Sequence, residues 1–239
     1  MAEWFQTDGG QRVRAVTADE MRAVDRVAVE EVGLRLLQMM ENAGRALAWH
    51  VRAVADGPVA VLAGNGGNGG GGMVCARHLA NRDVSVRVVL DRDPEDLTDA
   101  AAHQFGILDA MDVPYRVADG DDLLGTLDPA AVVDAFVGYG LRGALRSPAD
   151  GLVAATNDLD AAVVSLDVPS GIDATTGERD GPAVEPDRTV TLALPKTGLD
   201  VDTGKLFLAD IGIPAVFYEE LNIEYDSPFG EEDWVALRE

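Results

Sequence analysis

The sequence has little lysine, little cysteine and few aromatic side chains. Lys196 and Lys205 are the only lysines, Cys75 is the only cysteine, and aromatic residues make up 5% of the 239 positions. A single cysteine excludes an internal disulfide and is typical of a protein of the reducing cytoplasm. No apolar run reaches 18 residues, and the first 16 residues lack the apolar segment of a secretory signal. We therefore expect a cytoplasmic protein without a membrane span.

Basic residues are scarce relative to acidic ones. The chain has 42 Asp and Glu residues against 19 Lys and Arg residues, which gives a formal net charge of −23. The acids are spread along the chain, so they predict a solvated acidic shell suited to a salt-rich cytoplasm. An acidic surface that attracts cations or a basic partner is the alternative. Nucleic-acid binding is disfavoured, because it needs a basic face to neutralise phosphates.

Apolar runs and helical spacing alternate along the chain, which is 47% apolar and can bury a substantial core. Thr17 and Glu20 form a predicted capping box at the start of a helical region that Gly33 divides in two. The pattern predicts further helices at 72–81, 99–111 and 147–157, and strands at 58–64, 84–91, 130–136, 161–168, 187–194 and 206–213. It predicts one α/β domain over 1–239, made of N-terminal helices (17–55), an α/β core (58–213) and a polar tail with at most one short strand (214–239). Its sheet should be parallel and covered on both faces.

The stretch AGNGGNGGGGMVCARHL, residues 63–79, has glycine at seven of the nine positions from 64 to 72. A strand, a glycine turn and a helix start are typical of an anion site, because the first helical N–H groups lack internal partners. Gly64, Gly66 and Gly69 match the dinucleotide pattern, and Asp91 ends the next strand, so an NAD(P)-dependent dehydrogenase is one interpretation. A turn that only lets helix and strand pack is the structural alternative. The missing P-loop lysine argues against a nucleotide triphosphatase.

Two more strand ends combine aspartate with glycine. Asp134 lies in VVDAFVGYG (132–140) and Asp167 in SLDVPSGIDA (165–174). Ligands of open parallel sheets bind at the carboxyl ends of the strands, so both aspartates and the glycine loop converge if their strands are neighbours. For each aspartate a helix N-cap or a turn is the alternative role.

Several segments together carry a resemblance to a known family. They are MRAVDRVAVEEVG (21–33), MMENAGRALA (39–48), the glycine loop with ARHL, VDAFVGYGLRG (133–143), DVPSGIDATTG (167–177), TLALPKTGL (191–199) and ADIGIP (209–214). In this order, over nearly the whole chain, they resemble the NAD(P)H-hydrate epimerase family, the YjeF N-terminal domain.

The resemblance implies a three-layer αβα Rossmann-like sandwich with a mostly parallel central sheet, usually as a homodimer. It implies epimerisation of hydrated NADH or NADPH in nucleotide repair, alongside a separate NAD(P)H-hydrate dehydratase. The positions that match substrate-contacting residues are Gly67, Asn68, Gly69, Gly70 and Gly71, then Gly138, Tyr139, Gly140, Leu141, Arg142, Gly143 and Ala144, and Asp167. The positions that match ligands of a potassium ion are Asn68, Asp134 and Ser170, and their oxygen atoms suit such a hard cation.

The hydrated ring carries a hydroxyl group beside a ring nitrogen. We expect a carboxylate to assist departure of that hydroxyl, leaving an iminium-like carbon that accepts water on its other face. Asp167 is the first candidate and Asp134 the second. The family loop reads N-N-G-G-D-G, whereas this chain has Gly67 and Gly71 in place of the first asparagine and the aspartate. The lost carboxylate favours the alternative of a non-catalytic nucleotide-binding module, as in the related domain of mRNA-decapping enhancers.

Four further residue types give weaker indications of function: lysine, arginine, histidine and cysteine. Lys196 either neutralises a ligand charge or lies on the surface. Arg92 either contacts the 2′-phosphate of hydrated NADPH or is only exposed, so the sequence does not separate the two substrates. His78 is expected to pack in the core. The histidines and Cys75 lack metal-ligand spacing, so no zinc site is predicted.

Overall fold

The fold is built on one sheet. The structure is a computed structural model, which describes residues 3–118, 123–200 and 203–238. The strands are β1 (Trp4–Thr7), β2 (Arg12–Arg14), β3 (Val59–Ala63), β4 (Val86–Leu90), β5 (Tyr115–Val117), β6 (Ala131–Ala135), β7 (Ala162–Leu166), β8 (Arg188–Leu192), β9 (Lys205–Ala209) and β10 (Trp234–Arg238). The helices are α1 (Ala18–Arg26), α2 (Leu36–Arg52), α3 (Gly67–Ala80), α4 (Asp99–Ala110), α5 (Leu123–Leu127), α6 (Ala149–Asn157) and α7 (Ala215–Glu220). None of the described helices is long and apolar enough to cross a membrane.

Among the described residues the sheet has ten strands, in the order β2-β1-β10-β9-β8-β7-β6-β3-β4-β5. The seven strands from β9 to β5 in this order are parallel, and β10, β1 and β2 join by antiparallel pairing. β3 and β6 are buried at every position, as expected for parallel strands with both faces covered. The predicted, mostly parallel sheet is confirmed.

The two faces of the sheet carry different helices. Val61 and Ala63 of β3 pack in a cluster with α2, α3 and α4, while Ala60 and Leu62 of the same strand pack with α5 and α6. A third cluster joins α1 and α7 to the strands at the β9 end of the sheet. The arrangement is the three-layer αβα sandwich that the resemblance implied.

The N-terminal helical region divides as predicted. Thr17 Oγ1 accepts a hydrogen bond from the Glu20 amide, and the Glu20 carboxylate accepts one from the Thr17 amide, so the capping box is confirmed. α1 continues into a π-helical turn at Val27–Glu31, and Gly33 adopts a φ of 81° before α2 begins. A left-handed residue ends a helix at little cost only when it is glycine.

The predicted start of the third helix is wrong. The sequence placed it at Gly72, but α3 begins at Gly67, so most of the glycine stretch is helical. Close packing explains the glycines. A Cβ on Gly69 would lie 1.8 Å from the carbonyl oxygen of Gly64, and one on Gly72 would lie 2.5 Å from Cβ of Ala135. Gly69 to Gly72 therefore serve close packing of α3 on the preceding turn, on α2 and on the sheet, which is the structural alternative raised above, whereas a Cβ at Gly66 or Gly67 would meet nothing within 4 Å.

The structure contains several strands and a helix that the sequence did not predict. The N-terminal hairpin of β1 and β2 was not predicted, and neither was β5. The tail holds the short strand that the sequence allowed, β10, together with the unpredicted helix α7. β10 lies between β9 and β1, so the tail completes the sheet.

Candidate active site

A cavity of about 750 Å³ lies at the carboxyl ends of the parallel strands. Its floor follows the ends of β3, β4, β6, β7 and β8, and residues of α1 and α2 cover its other side. Site residues predicted from the sequence that line it are Gly67, Asn68, Gly71, Gly138, Tyr139, Gly140 and Asp167. The strand ends therefore converge as expected for an open parallel sheet.

Asp167 forms a buried ion pair with Lys196 at the cavity floor. Lys196 Nζ lies 2.5 Å from Asp167 Oδ1, and the two residues are 1% and 3% exposed. The ammonium also donates to the carbonyl oxygen of Leu192 at 2.8 Å, and the amide of Tyr139 donates to Asp167 Oδ2 at 3.1 Å. The ammonium and the amide hold the carboxylate in one orientation, and Lys196 is not a surface residue.

The backbone at Asp167 is strained. Asp167 has a φ of 68°, and the amide of Val168 donates to the carbonyl of Leu166 at 2.9 Å, which closes a three-residue γ-turn. Ala193, at the end of the adjacent strand β8, has a φ of 62° within a second turn of this kind. Such turns cost free energy, and strained residues of this type cluster at functional sites.

Gly138 leaves room for two polar side chains to meet. A Cβ at this position would lie 2.7 Å from Asp167 Oδ2 and 3.0 Å from Asn68 Oδ1. The amide nitrogen of Asn68 is buried and has no hydrogen-bond partner within the protein. A buried amide without a partner indicates that something outside the chain satisfies it. The Asn68 and Asp167 side chains therefore converge on one point of the cavity.

Asp134 is fully buried beneath the cavity. Its Oδ2 accepts from Ser165 Oγ and from the Ser170 amide, both at 2.8 Å, and its Oδ1 accepts from Ser170 Oγ at 2.6 Å. Burial raises the pKa of Asp134, and the hydrogen bonds from Ser170 and Ser165 oppose that rise. None of the salt bridges found among the described residues includes Asp134.

Asp25 of α1 reaches the same cavity from the opposite layer. The Tyr139 hydroxyl donates a hydrogen bond to its carboxylate. Burial raises the pKa of Asp25, while the Tyr139 hydrogen bond and the charge of Lys196 lower it and the charge of Asp167 raises it. Burial and the nearby Asp25 carboxylate also raise the pKa of the Tyr139 hydroxyl, which keeps it a donor.

The remaining predicted site residues lie away from the cavity wall. Gly69 packs on the Gly64 carbonyl and Gly70 on the Met40 thioether. A Cβ added to Gly69 would lie 1.8 Å from the Gly64 oxygen, and one added to Gly70 would lie 2.8 Å from the Met40 sulfur. In the second loop Arg142, Gly143 and Ala144 are exposed, and Leu141 is half-buried. Asp134 and Ser170 lie one layer below the floor.

The sequence analysis missed Asp25 and left Lys196 undecided. Asp25 follows Met21 by four positions on the buried stripe of α1, where a charged residue is unusual. That misplaced charge was the available signal. Arg92 lines the cavity, but Asp91 holds its guanidinium through hydrogen bonds of 2.8 and 2.9 Å. His78 is half-buried and contacts Glu41 at 2.8 Å.

Comparison with known proteins identifies the family and the fold. The profile of the family described as YjeF-related protein N-terminus matches residues 36–198, which include the glycine stretch, Asp134, Asp167 and Lys196. The chain belongs to this family. The resemblance seen in the sequence is thereby confirmed.

Individual relatives of the family are similar over most of this chain. An NAD(P)H-hydrate epimerase of Dehalogenimonas lykanthroporepellens is 40% identical, with 96% of this chain and 95% of the relative covered. A bifunctional NAD(P)H-hydrate repair enzyme Nnr of Salinibacter ruber is 38% identical over 83% of this chain but only 41% of its own length. The crystal structure of yeast ynu0 (YNL200c) superposes with a TM-score of 0.82 at 25% identity, covering 94% of this chain and all of the yeast chain.

Proposed function

We propose that this protein is an isomerase, an NAD(P)H-hydrate epimerase that interconverts the two epimers of hydrated NADH or NADPH. The observation that carries the proposal is the 40% identity to an epimerase of nearly the same length. The site supports it independently, since a carboxylate with a fixed orientation faces a cavity large enough for a nucleotide.

The chemistry requires proton transfer at the hydroxyl of the hydrated ring. Departure of the hydroxyl as water needs a proton, and the ring nitrogen then stabilises the iminium-like carbon until water adds to it. Asp167 meets the geometric requirement for an acid–base group, because it lies on the cavity wall with its orientation set by Lys196 and the Tyr139 amide. Asp134 does not reach the wall, so we assign it to structural and ion-binding support.

A potassium ion fits the residues around Asn68. The resemblance assigns its ligands to Asn68, Asp134 and Ser170, which offer the hard oxygen atoms that such a cation prefers. Asp134 is buried and forms no ion pair among the described residues, which fits a nearby cation. The unpartnered Nδ2 of Asn68 is a hydrogen-bond donor, so it calls for an acceptor such as a substrate oxygen, and only the Oδ1 of Asn68 could bind the ion. The described residues contain no group of three His, Cys, Asp or Glu side chains placed to hold a metal ion. A bound potassium ion would supply positive charge beneath the substrate.

Potassium binding is tested by thermal unfolding in KCl and in LiCl of equal concentration. We expect a higher midpoint in KCl, because the ligands that the resemblance assigns are those of a potassium ion, and we expect Asn68→Ala to remove the difference. Equal midpoints for the wild type in both salts would contradict the ion site.

The proposal extends to partners and location. We infer a homodimer, a separate NAD(P)H-hydrate dehydratase that consumes one epimer, and a cytoplasmic, salt-rich setting. The dehydratase is inferred from the family resemblance, and the bifunctional character of related repair enzymes supports it. Light scattering of the purified chain tests the dimer.

A non-catalytic binding module is the second candidate, and Gly71 favours it. Gly71 lies on the cavity wall within α3 and offers no side chain where the family motif has a carboxylate. The dehydrogenase interpretation loses its support, since the packing of Gly69 on Gly64 accounts for the glycine pattern.

The deciding experiment follows one purified epimer of NADH hydrate by chromatography in potassium chloride, with and without the protein. Exchange above the spontaneous rate in the wild type, and its loss in Asp167→Asn, are the expected results. Binding without exchange, with exchange restored by Gly71→Asp, would identify a family member that has lost its catalytic activity but still binds the hydrate. Neither binding nor exchange would overturn the proposal.

A further inference from the structure

The Asp25 carboxyl is a titratable group in the cavity that the reaction as described above does not use. It comes from α1, whereas Asp167 comes from the end of β7, so the two carboxyls enter the cavity from different layers of the sandwich. Asp25 lies among the buried residues Met21 and Val24 of its helix rather than on its solvent face. Burying a carboxyl in this position costs free energy of folding, so a carboxyl found there is a candidate for a functional role.

Tyr139 contacts both carboxyls. Its hydroxyl donates to Asp25, and its backbone amide donates to Asp167 at 3.1 Å. Tyr139 therefore links the two carboxyls through its hydroxyl and its backbone amide. Their partners differ, because Lys196 forms an ion pair with Asp167, whereas the hydrogen-bond partner of Asp25 is a neutral hydroxyl. Carboxyl groups in such unlike surroundings are suited to opposite halves of a proton-transfer reaction.

Epimerisation itself requires two proton-transfer sites. The hydroxyl leaves from one face of the ring and water adds to the other, so one group must give a proton on the first face and another must accept one on the second. We propose that Asp25 is this second acid–base group of the reaction, acting from the α1 side while Asp167 acts from the strand ends. The inference rests on the proposed epimerase function.

The reaction needs one proton on the pair of carboxyls, which Asp25 holds at the start and Asp167 holds at the end. Protonated Asp25 gives its proton to the ring hydroxyl, the C–O bond breaks with its electron pair going to oxygen, and water leaves. The iminium-like carbon then accepts the oxygen of a water molecule on the other face, and that water gives a proton to Asp167. The reverse epimerisation uses the same groups with their roles exchanged. Exchange of protons with solvent resets the enzyme.

Several groups act on the titration of Asp25. The hydrogen bond from Tyr139 and the charge of Lys196 lower its pKa, while burial, the largest effect, and the charge of Asp167 raise it. Other ionisable groups of the surrounding elements are Arg22, Arg26 and Glu30 on the α1 side, Asp91 and Arg92 after β4, and Tyr218 on α7. Because both directions need one proton on the pair, activity should follow a bell-shaped pH profile that is the same in both directions.

The test compares Asp25→Asn with Asp19→Asn, a change on the exposed face of the same helix, where the Asp19 side chain is 91% exposed. We expect Asp25→Asn to lower kcat for epimer exchange about 10²- to 10⁴-fold with little change in NADPH binding, and to remove one limb of the pH profile. Asp19→Asn should behave as the wild type.

Tyr139→Phe gives a second readout that does not depend on the folding of Asp25→Asn. It removes the hydrogen bond that lowers the pKa of Asp25, so the alkaline limb should move to higher pH. An active wild type whose rate and profile are unchanged by both variants would overturn the role of Asp25 alone. A wild type without exchange would overturn the epimerase function and this inference together.

Discussion

Gly67 and Gly69 lie two positions apart in α3, yet their surroundings are opposite. Nothing lies within 4 Å of a Cβ at Gly67, whereas a Cβ at Gly69 would lie 1.8 Å from a backbone oxygen that cannot move aside. We expect Gly69→Ala to lower the free energy of unfolding by at least about 3 kcal/mol through overpacking. Gly67→Ala should raise it by about 0.5 kcal/mol, because alanine favours the helix. Urea unfolding measures both, and equal effects would contradict this account of the glycine stretch.

The two lysines of the chain form a natural pair for a second prediction. Lys196 is 1% exposed and paired with Asp167, while Lys205 is exposed on β9. Lys196→Met should cost about 3 to 5 kcal/mol, because it leaves a buried carboxylate without its counter-charge. Lys205→Met should cost less than about 0.5 kcal/mol. Adding Asp167→Asn to Lys196→Met should recover part of the loss in the same unfolding experiment, and a simple sum of the two losses would contradict the pairing.

At the scale of elements, His50 joins α2 to the strands β9 and β10. Its ring centre lies 4.4 Å from that of Phe207 and 4.6 Å from that of Trp234, and neither ring nitrogen has a hydrogen-bond partner. Burial, aided by the charge of Arg188, lowers the pKa of His50 from 6.5 to about 4. The folded state therefore holds the histidine neutral where the unfolded chain binds a proton.

This packing predicts acid lability. Above pH 6.5 His50 is neutral in both states, so it does not make the free energy of unfolding depend on pH. Between pH 6.5 and about 4 only the unfolded state gains the proton. The wild type should lose roughly 3 kcal/mol from this residue over that range. In urea unfolding at several pH values, His50→Leu should lack this loss, while His103→Leu, a change at an exposed position of α4, should retain it. Parallel pH curves for His50→Leu and the wild type would contradict the prediction.

The elements that the sequence predicted are those with a strong apolar signal. β3 is a continuous apolar run, and β6 and β7 are apolar apart from Asp134 and Ser165; each was found within two residues of its predicted ends. β2 and β5 have only three residues, and partly exposed short strands carry little periodicity. The start of α3 was misplaced because glycine disfavours helix locally, and tertiary contact with the sheet overrides that preference.

The candidate site was predictable where neighbouring strands form it. Asp134 pairs in register with Ser165, two residues before Asp167, so adjacent strands bring both aspartates to one edge. The contact of Asp25 with Tyr139 spans 114 residues and depends on how α1 docks over the strand ends. The charge of Asp25 on an apolar stripe is a signal in the sequence, but neither spacing nor periodicity shows where α1 docks, so the position of Asp25 in the cavity came only from the structure.

At the scale of the whole molecule, the net charge of −23 dominates. Self-repulsion of the acidic surface opposes the compact state, and dissolved ions screen it. We expect the thermal midpoint to rise by at least about 5 °C between 0.05 and 2 M NaCl, equivalent to roughly 2 kcal/mol for a chain of this length. Calorimetry in sodium chloride separates this effect from potassium binding. A flat or falling midpoint would contradict a surface adapted to salt.

The pairing of β1 with β10 sets the order in which the molecule can be completed. Thr7 lies opposite Leu237, so β1 cannot pair with β10 until residues 8–237 have been synthesised. At the usual rates of translation that delay is roughly 10 to 50 s. Throughout it, one edge of the β1–β2 hairpin offers unpaired backbone to other nascent chains. The synthesis of β10 therefore determines how long a newly made molecule is exposed to misassembly.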